Sequence, residues 1–206
     1  MSVSGDWEAA VMLRVRRAPP ELVRQALRDS LRRACRDTGR WTALLPASVP
    51  ADCAGTRGGE FPLAKPPEPC AVSRFVAVEW RRGGKPMQAS RFGAFAFRPS
   101  GDGGWSIVDN WGIVKGGDTL EALAVLEPAS TGYELSEVPE DVATDLFALV
   151  AAGAARTLLA MPGAPWSDAQ AAQQAAWEAQ RELGCTASRM GGDFTGPSRV
   201  VGCIDK

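Results

Sequence analysis

Five arginines, Arg24, Arg28, Arg32, Arg36 and Arg40, recur at strict four-residue intervals, with Arg33 beside them. A guanidinium carries its donors in a planar fork that grips carboxylates or phosphates two at a time, so this spacing suits anion recognition. On a helix, a four-residue step overshoots one turn by about 40°, so the row stays on one side. Two readings follow. The row either docks on an acidic surface, or forms a solvated face partly neutralised by Glu21, Asp29 and Asp37.

The second group with chemical potential is Trp105-Ser106-Ile107-Val108-Asp109-Asn110-Trp111-Gly112. In a strand, Asp109 shares its face with Trp105 and Trp111. A carboxylate buried between indoles is a candidate general acid or base. At a strand end the same residue faces the rim or a turn, where the tryptophans act as binding anchors.

The chain has no histidine, which removes imidazole chemistry altogether. Gly101-Asp102-Gly103-Gly104 and Gly116-Gly117-Asp118 read as turns, since neither completes a nucleotide-binding fingerprint. Acidic residues never reach the spacing of a calcium loop. No cofactor and no metal is therefore expected.

Five cysteines are present, four of them in two widely spaced couples. Cys53 and Cys70 bracket a segment rich in glycine and proline, and Cys185 and Cys203 bracket another. Such segments are poor at holding themselves with backbone hydrogen bonds, so both couples are expected to be disulfides. Each would contribute roughly 3 kcal/mol by constraining the unfolded chain. Crosslinks of this kind point to an oxidising compartment, periplasmic or secreted. The start, Met1 to Trp7, lacks a basic stretch followed by an apolar run, so that location requires a leader absent from this chain. The alternative is a cytoplasmic protein with reduced thiols. Cys35 is left over and packs as a small hydrophobe.

Charge is strongly divided along the chain. Residues 1–100 hold 17 Lys/Arg against 9 Asp/Glu, a net of +8, and residues 101–206 hold 6 against 15, a net of −9. The favoured reading is self-complementarity, the basic half folding against the acidic half. Nucleic acid is disfavoured as a partner, because a chain of net charge −1 lacks an overall basic domain.

The elements that must position these residues follow from periodicity. Trp7 to Arg16 alternates as a strand, with Val11, Leu13 and Val15 on one face. Pro19-Pro20 opens a helix from about Glu21 to Thr38, stopped by Gly39, with Val23, Leu27, Leu31 and Ala34 as its apolar face. Residues 41–70 form a long loop. Strands are expected at 72–82, 87–98 and 105–114, joined by short glycine-containing turns as an antiparallel meander.

Residues 119–126 are ambiguous between helix and strand. A helix runs from Pro139 to about Ala160; its apolar stretch, Leu146 to Ala160, is too short and carries Arg156, so no membrane span is expected. Ser167 and Gln170 form a capping box for a further helix ending at Gly184, and 200–204 reads as a closing strand. The whole is a single α+β domain over 1–206, an antiparallel sheet in β-α-βββ-αα-β order with helices packed on one face.

With no complete catalytic or cofactor constellation, the leading expectation is a non-enzymatic protein-binding module, such as an inhibitor or immunity-type protein. It would use Trp105, Asp109, Trp111 and the arginines Arg24, Arg28, Arg32 and Arg36 to recognise another protein, an acidic one where the arginines engage. The alternatives are a carboxylate-dependent enzyme centred on Asp109, and a cytoplasmic nucleic-acid-associated protein using the 24–40 helix.

Overall fold

The structure, a computed structural model, describes residues 3–88, 93–101, 103–129 and 133–190. The fold is α+β, with antiparallel sheets. It gathers into two compact units. Among the described residues, a helical unit comprises 3–41 and 127–190, and a strand unit comprises 42–126.

The helical unit contains α1 (Val3–Arg14), α2 (Pro20–Thr38), α3 (Glu140–Leu159), α4 (Ala169–Met190) and a short 3-10 turn, Leu135–Glu137. The expected first strand is a helix. The alternation of Val11, Leu13 and Val15 loses to a four-residue period: Trp7, Val11 and Val15 are fully buried, while Leu13 is 80% exposed. A helix brings residues at i, i+4 and i+8 to one face, and the Trp7 indole stacks on Phe147 of α3 with centroids 6.4 Å apart.

Helix α2 matches expectation. Pro20 occupies its first turn, and Gly39 closes it in the left-handed region (φ 66°), its N–H donating to Cys35 O. Cys35 is buried on its core face. Helix α3 is long and apolar enough to cross a membrane by length and composition, but here it is the core helix of the unit, in contact with α1, α2 and α4. Asp168, not Ser167, caps α4: its Oδ1 accepts the N–H groups of Gln170 and Ala171, while the Ser167 hydroxyl turns back to Leu159 O. The helix continues through Gly184 to Met190.

The strand unit holds β1 (Thr42–Ala47), β2 (Gly59–Pro62), β3 (Cys70–Arg82), β4 (Lys85–Met87), β5 (Phe95–Pro99), β6 (Trp105–Asp109) and β7 (Asp118–Pro128), whose last two residues pass into the helical unit. One sheet runs β1-β7-β3-β4 and the other β2-β6-β5. They join where Ala47 bridges Leu63. Rings lock the two sheets together: Phe75 of β3 stacks on Phe97 of β5 at 3.9 Å and meets Trp105 of β6 edge-on, and Trp80 of β3 meets Phe95 of β5.

Several boundaries differ from the sequence reading. Residues 41–70 are not one loop but contain β1 and β2. Within the expected 87–98 strand, Met87 ends β4 and Phe95 begins β5, which runs to Pro99, residues 89–92 lying outside the described ones. The 105–114 strand stops at Asp109, and 119–126 is strand. The closing strand at 200–204 lies outside the described residues.

The Cys53–Cys70 disulfide is corrected: the two are not joined. The segment between them is held by backbone pairing that its composition concealed. Strand β2 pairs with β6 over four residues. Ser48 N–H donates to Pro62 O, Ala64 N–H to Pro46 O, and Gly116 N–H to Cys53 O. The Cys53 thiol donates to Val114 O instead of meeting a second sulfur. Cys185 is an exposed thiol on α4, and its expected partner Cys203 lies outside the described residues.

Helices α2 and α3 approach closely at Gly153. A Cβ there would stand 2.3 Å from the Ser30 hydroxyl, which donates to Val150 O. Ala is otherwise better than Gly in a helix by roughly 0.5–1 kcal/mol. Gly153→Ala is therefore expected to stabilise a Ser30→Ala background and to lose that gain in the wild type. Chemical denaturation of the four-protein cycle should give a coupling of about 1–2 kcal/mol; additive effects would mean the hydroxyl does not set the helix separation.

Candidate functional site

The arginine row of α2 is spent inside the helical unit. Arg24 faces Glu8 at 3.4 Å, Arg28 faces Glu134 at 3.0 Å, and Arg40 meets Asp145 and Asp141. Arg32 and Arg36 converge on one carboxylate, Glu127, whose side chain is only 9% exposed. Arg32 Nη2 donates to its Oε1, and Arg36 Nε and Nη2 to both oxygens, at 2.9–3.1 Å. Four of these five arginines thus meet acids of the second half of the chain, and Arg14 of α1 likewise meets Glu178 of α4. The divided charge is largely folded onto itself. The outer pairs are exposed and worth little each, whereas the Glu127 clasp is better shielded from solvent.

The tryptophan candidates part company. Trp105 is half-buried against Phe75 and belongs to the packing between the sheets. Trp111 lies beyond the end of β6, in the loop leading to β7, and is 41% exposed. Asp109 is fully buried beneath it. Its Oδ1 accepts the N–H groups of Trp111 (3.0 Å) and Gly112 (2.8 Å), and its Oδ2 accepts that of Val114 (2.8 Å). Asp109 is therefore placed as the anchor of the loop.

Neighbouring segments press on the same loop. Gly112 has φ +69°, and a Cβ there would stand 2.5 Å from Gly55 O, so the two backbones touch only because both positions are glycine. Arg57 lies over the Trp111 ring at 5.4 Å and donates from Nε to Asn110 O. Asn110 is fixed in turn by Ala94 O and Gly93 O.

A third cluster escaped the sequence reading, which took Gly116-Gly117-Asp118 for a plain turn. Asp118 has a side chain 1% exposed, and Arg82 grips it with Nε and Nη2, both at 2.8 Å. Trp80 Nε1 and Lys115 N–H also donate to it, and Arg82 reaches Ile113 O as well. The Arg82 hydrogen bonds hold the Asp118 carboxyl well down, at about 2 against an ordinary 3.8, with Lys115 and Trp80 helping and burial opposing. The only textual hint was an acid following two glycines.

A cleft of about 610 Å³ lies among α2, α3 and α4, and a smaller one of about 170 Å³ lies beside Trp105, Leu63 and Pro66. Among the described residues no group of three metal-ligating side chains comes together. No family model matches the chain, and no curated protein matches it.

The depressed Asp118 pKa fixes a sign. Stabilisation from the charged carboxylate is complete above the unfolded value near 4 and is lost as pH falls towards about 2. Asp118→Asn should destabilise at pH 7 by roughly 1–3 kcal/mol, because Arg82 and Trp80 lose a charged acceptor. It should also flatten the fall in stability between pH 4 and pH 2, read by urea melts across that range. An unchanged acid slope in the variant would show that the cluster does not titrate with folding.

Proposed function

We propose that this chain is a non-enzymatic protein-binding module whose recognition surface is the braced loop carrying Trp111, with Arg57 stacked upon it. An inhibitor or immunity-type protein works in this way. The supporting observation is the use of Asp109: a buried carboxylate is committed to three backbone N–H groups, so that a large indole is held at the surface in one position. Tryptophan and arginine dominate the energetics of protein interfaces. An anchor already ordered in the free protein loses little freedom on binding. The partner would offer an apolar pocket for the indole and carboxylates or carbonyls for the guanidinium.

Arg24, Arg28, Arg32, Arg36 and Arg40 of α2 carry carboxylates of their own, which weighs against the nucleic-acid alternative. A periplasmic or secreted location rested on two crosslinks; Cys53 and Cys70 are not joined, and Cys203, the expected partner of Cys185, lies outside the described residues.

The test is affinity capture from the source cells with wild-type protein and Trp111→Ala side by side, then titration calorimetry with the recovered partner. The wild type should retain a stoichiometric partner. Trp111→Ala should bind it at least about tenfold more weakly, and Arg57→Ala by a smaller factor, with melting temperatures within a few degrees of the wild type. Equal capture by Trp111→Ala would overturn the proposal. So would turnover of a small molecule that Asp109→Asn abolishes in folded protein.

A further inference from the structure

The 610 Å³ cleft of the helical unit is within the size range of small-molecule sites. Its α2 lining runs from Asp29 to Asp37, nine residues spanning about 12 Å of helix, which suits a small molecule better than a protein segment. Part of the lining is cationic. Arg33 and Arg156 belong to it, and neither makes an ion pair among the described residues. Arg32 lines it too, paired with Glu127. Arg32 also keeps a buried Nε–H without an acceptor. Asp29 and Asp37 temper the field, one helical turn to either side of Arg33.

Apolar lining comes from Leu149 on α3 and from Ala179 and Leu183 on α4, and Gly153 adds no side chain between them. A cleft lined by both cations and apolar side chains suits a ligand that carries an anionic group on an apolar body. Arginine forks match carboxylate, sulfonate or phosphate oxygens, and the aliphatic side chains match a ring or short chain.

We infer that the α2–α3–α4 cleft is a binding site for a small organic anion with an apolar body, its anionic group held by Arg33 and Arg156 and its body by Leu149, Ala179 and Leu183. The site belongs to the helical unit and is independent of the Trp111 surface, so either can fail without the other.

Titration calorimetry of the full chain with 2-naphthoate tests it, using 2-naphthalenemethanol and inorganic phosphate as probes of each half. Saturable one-to-one binding of 2-naphthoate is expected, at least about tenfold tighter than either control, and weakening as salt rises. Arg33→Glu/Arg156→Glu removes the cations, and Ala179→Phe fills the apolar lining; each should weaken 2-naphthoate about tenfold or more. Circular dichroism melts confirm that each variant is folded, and Ala179→Phe carries the test alone if the charge reversal is not. Absence of saturable binding overturns the inference, as does binding that a folded variant leaves unchanged. Phosphate binding as tightly as 2-naphthoate overturns the apolar half of the ligand class.

Discussion

Two aspartates bracket the connection between β6 and β7, and the presented surface of the strand unit depends on them. Asp109 takes the N–H groups of Trp111, Gly112 and Val114, and Asp118 takes that of Lys115 while its partner Arg82 reaches Ile113 O. Backbone groups that a strand would pair with a neighbour are paired here with buried carboxylates. A loop held in this way can carry an exposed indole without collapsing over it. Both oxygens of Asp109 serve the backbone of this loop.

Charge plays a different part in the helical unit. The α2 arginines occupy the helix flank that faces the acidic later sequence, and most of them end on its carboxylates. A row that invites a reading as a nucleic-acid face is thus largely a seam within the fold. Arg33 sits off that seam, and with Arg156 it lends the cleft cationic lining.

Much of this was legible in the residues. Helix α2 announced both ends through Pro20 and Gly39, α3 through Pro139 and its acids, and the division of charge correctly implied self-pairing. The failures have physical causes. Val11, Leu13 and Val15 satisfy a two-residue period as well as Trp7, Val11 and Val15 satisfy a four-residue one, and only burial decides between them. Gly- and Pro-rich sequence from 48 to 69 hid strand β2, whose partners lie more than forty residues away in β6. The Cys53–Cys70 pairing was inferred from that supposed lack of backbone support, and it fell with it. The Asp118 cluster depends on Arg82 and Trp80 meeting a residue 36 and 38 positions distant, which no local pattern records.

Native-state hydrogen exchange of the unmodified protein probes the bracketed loop most directly. Amides of Trp111, Gly112 and Val114 should exchange slowly, as if in a strand, although they lie outside any sheet, and Ile113 between them should exchange faster. Uniformly rapid exchange from 111 to 114 would mean that Asp109 does not hold the loop, and the indole would then be a mobile surface residue and no anchor.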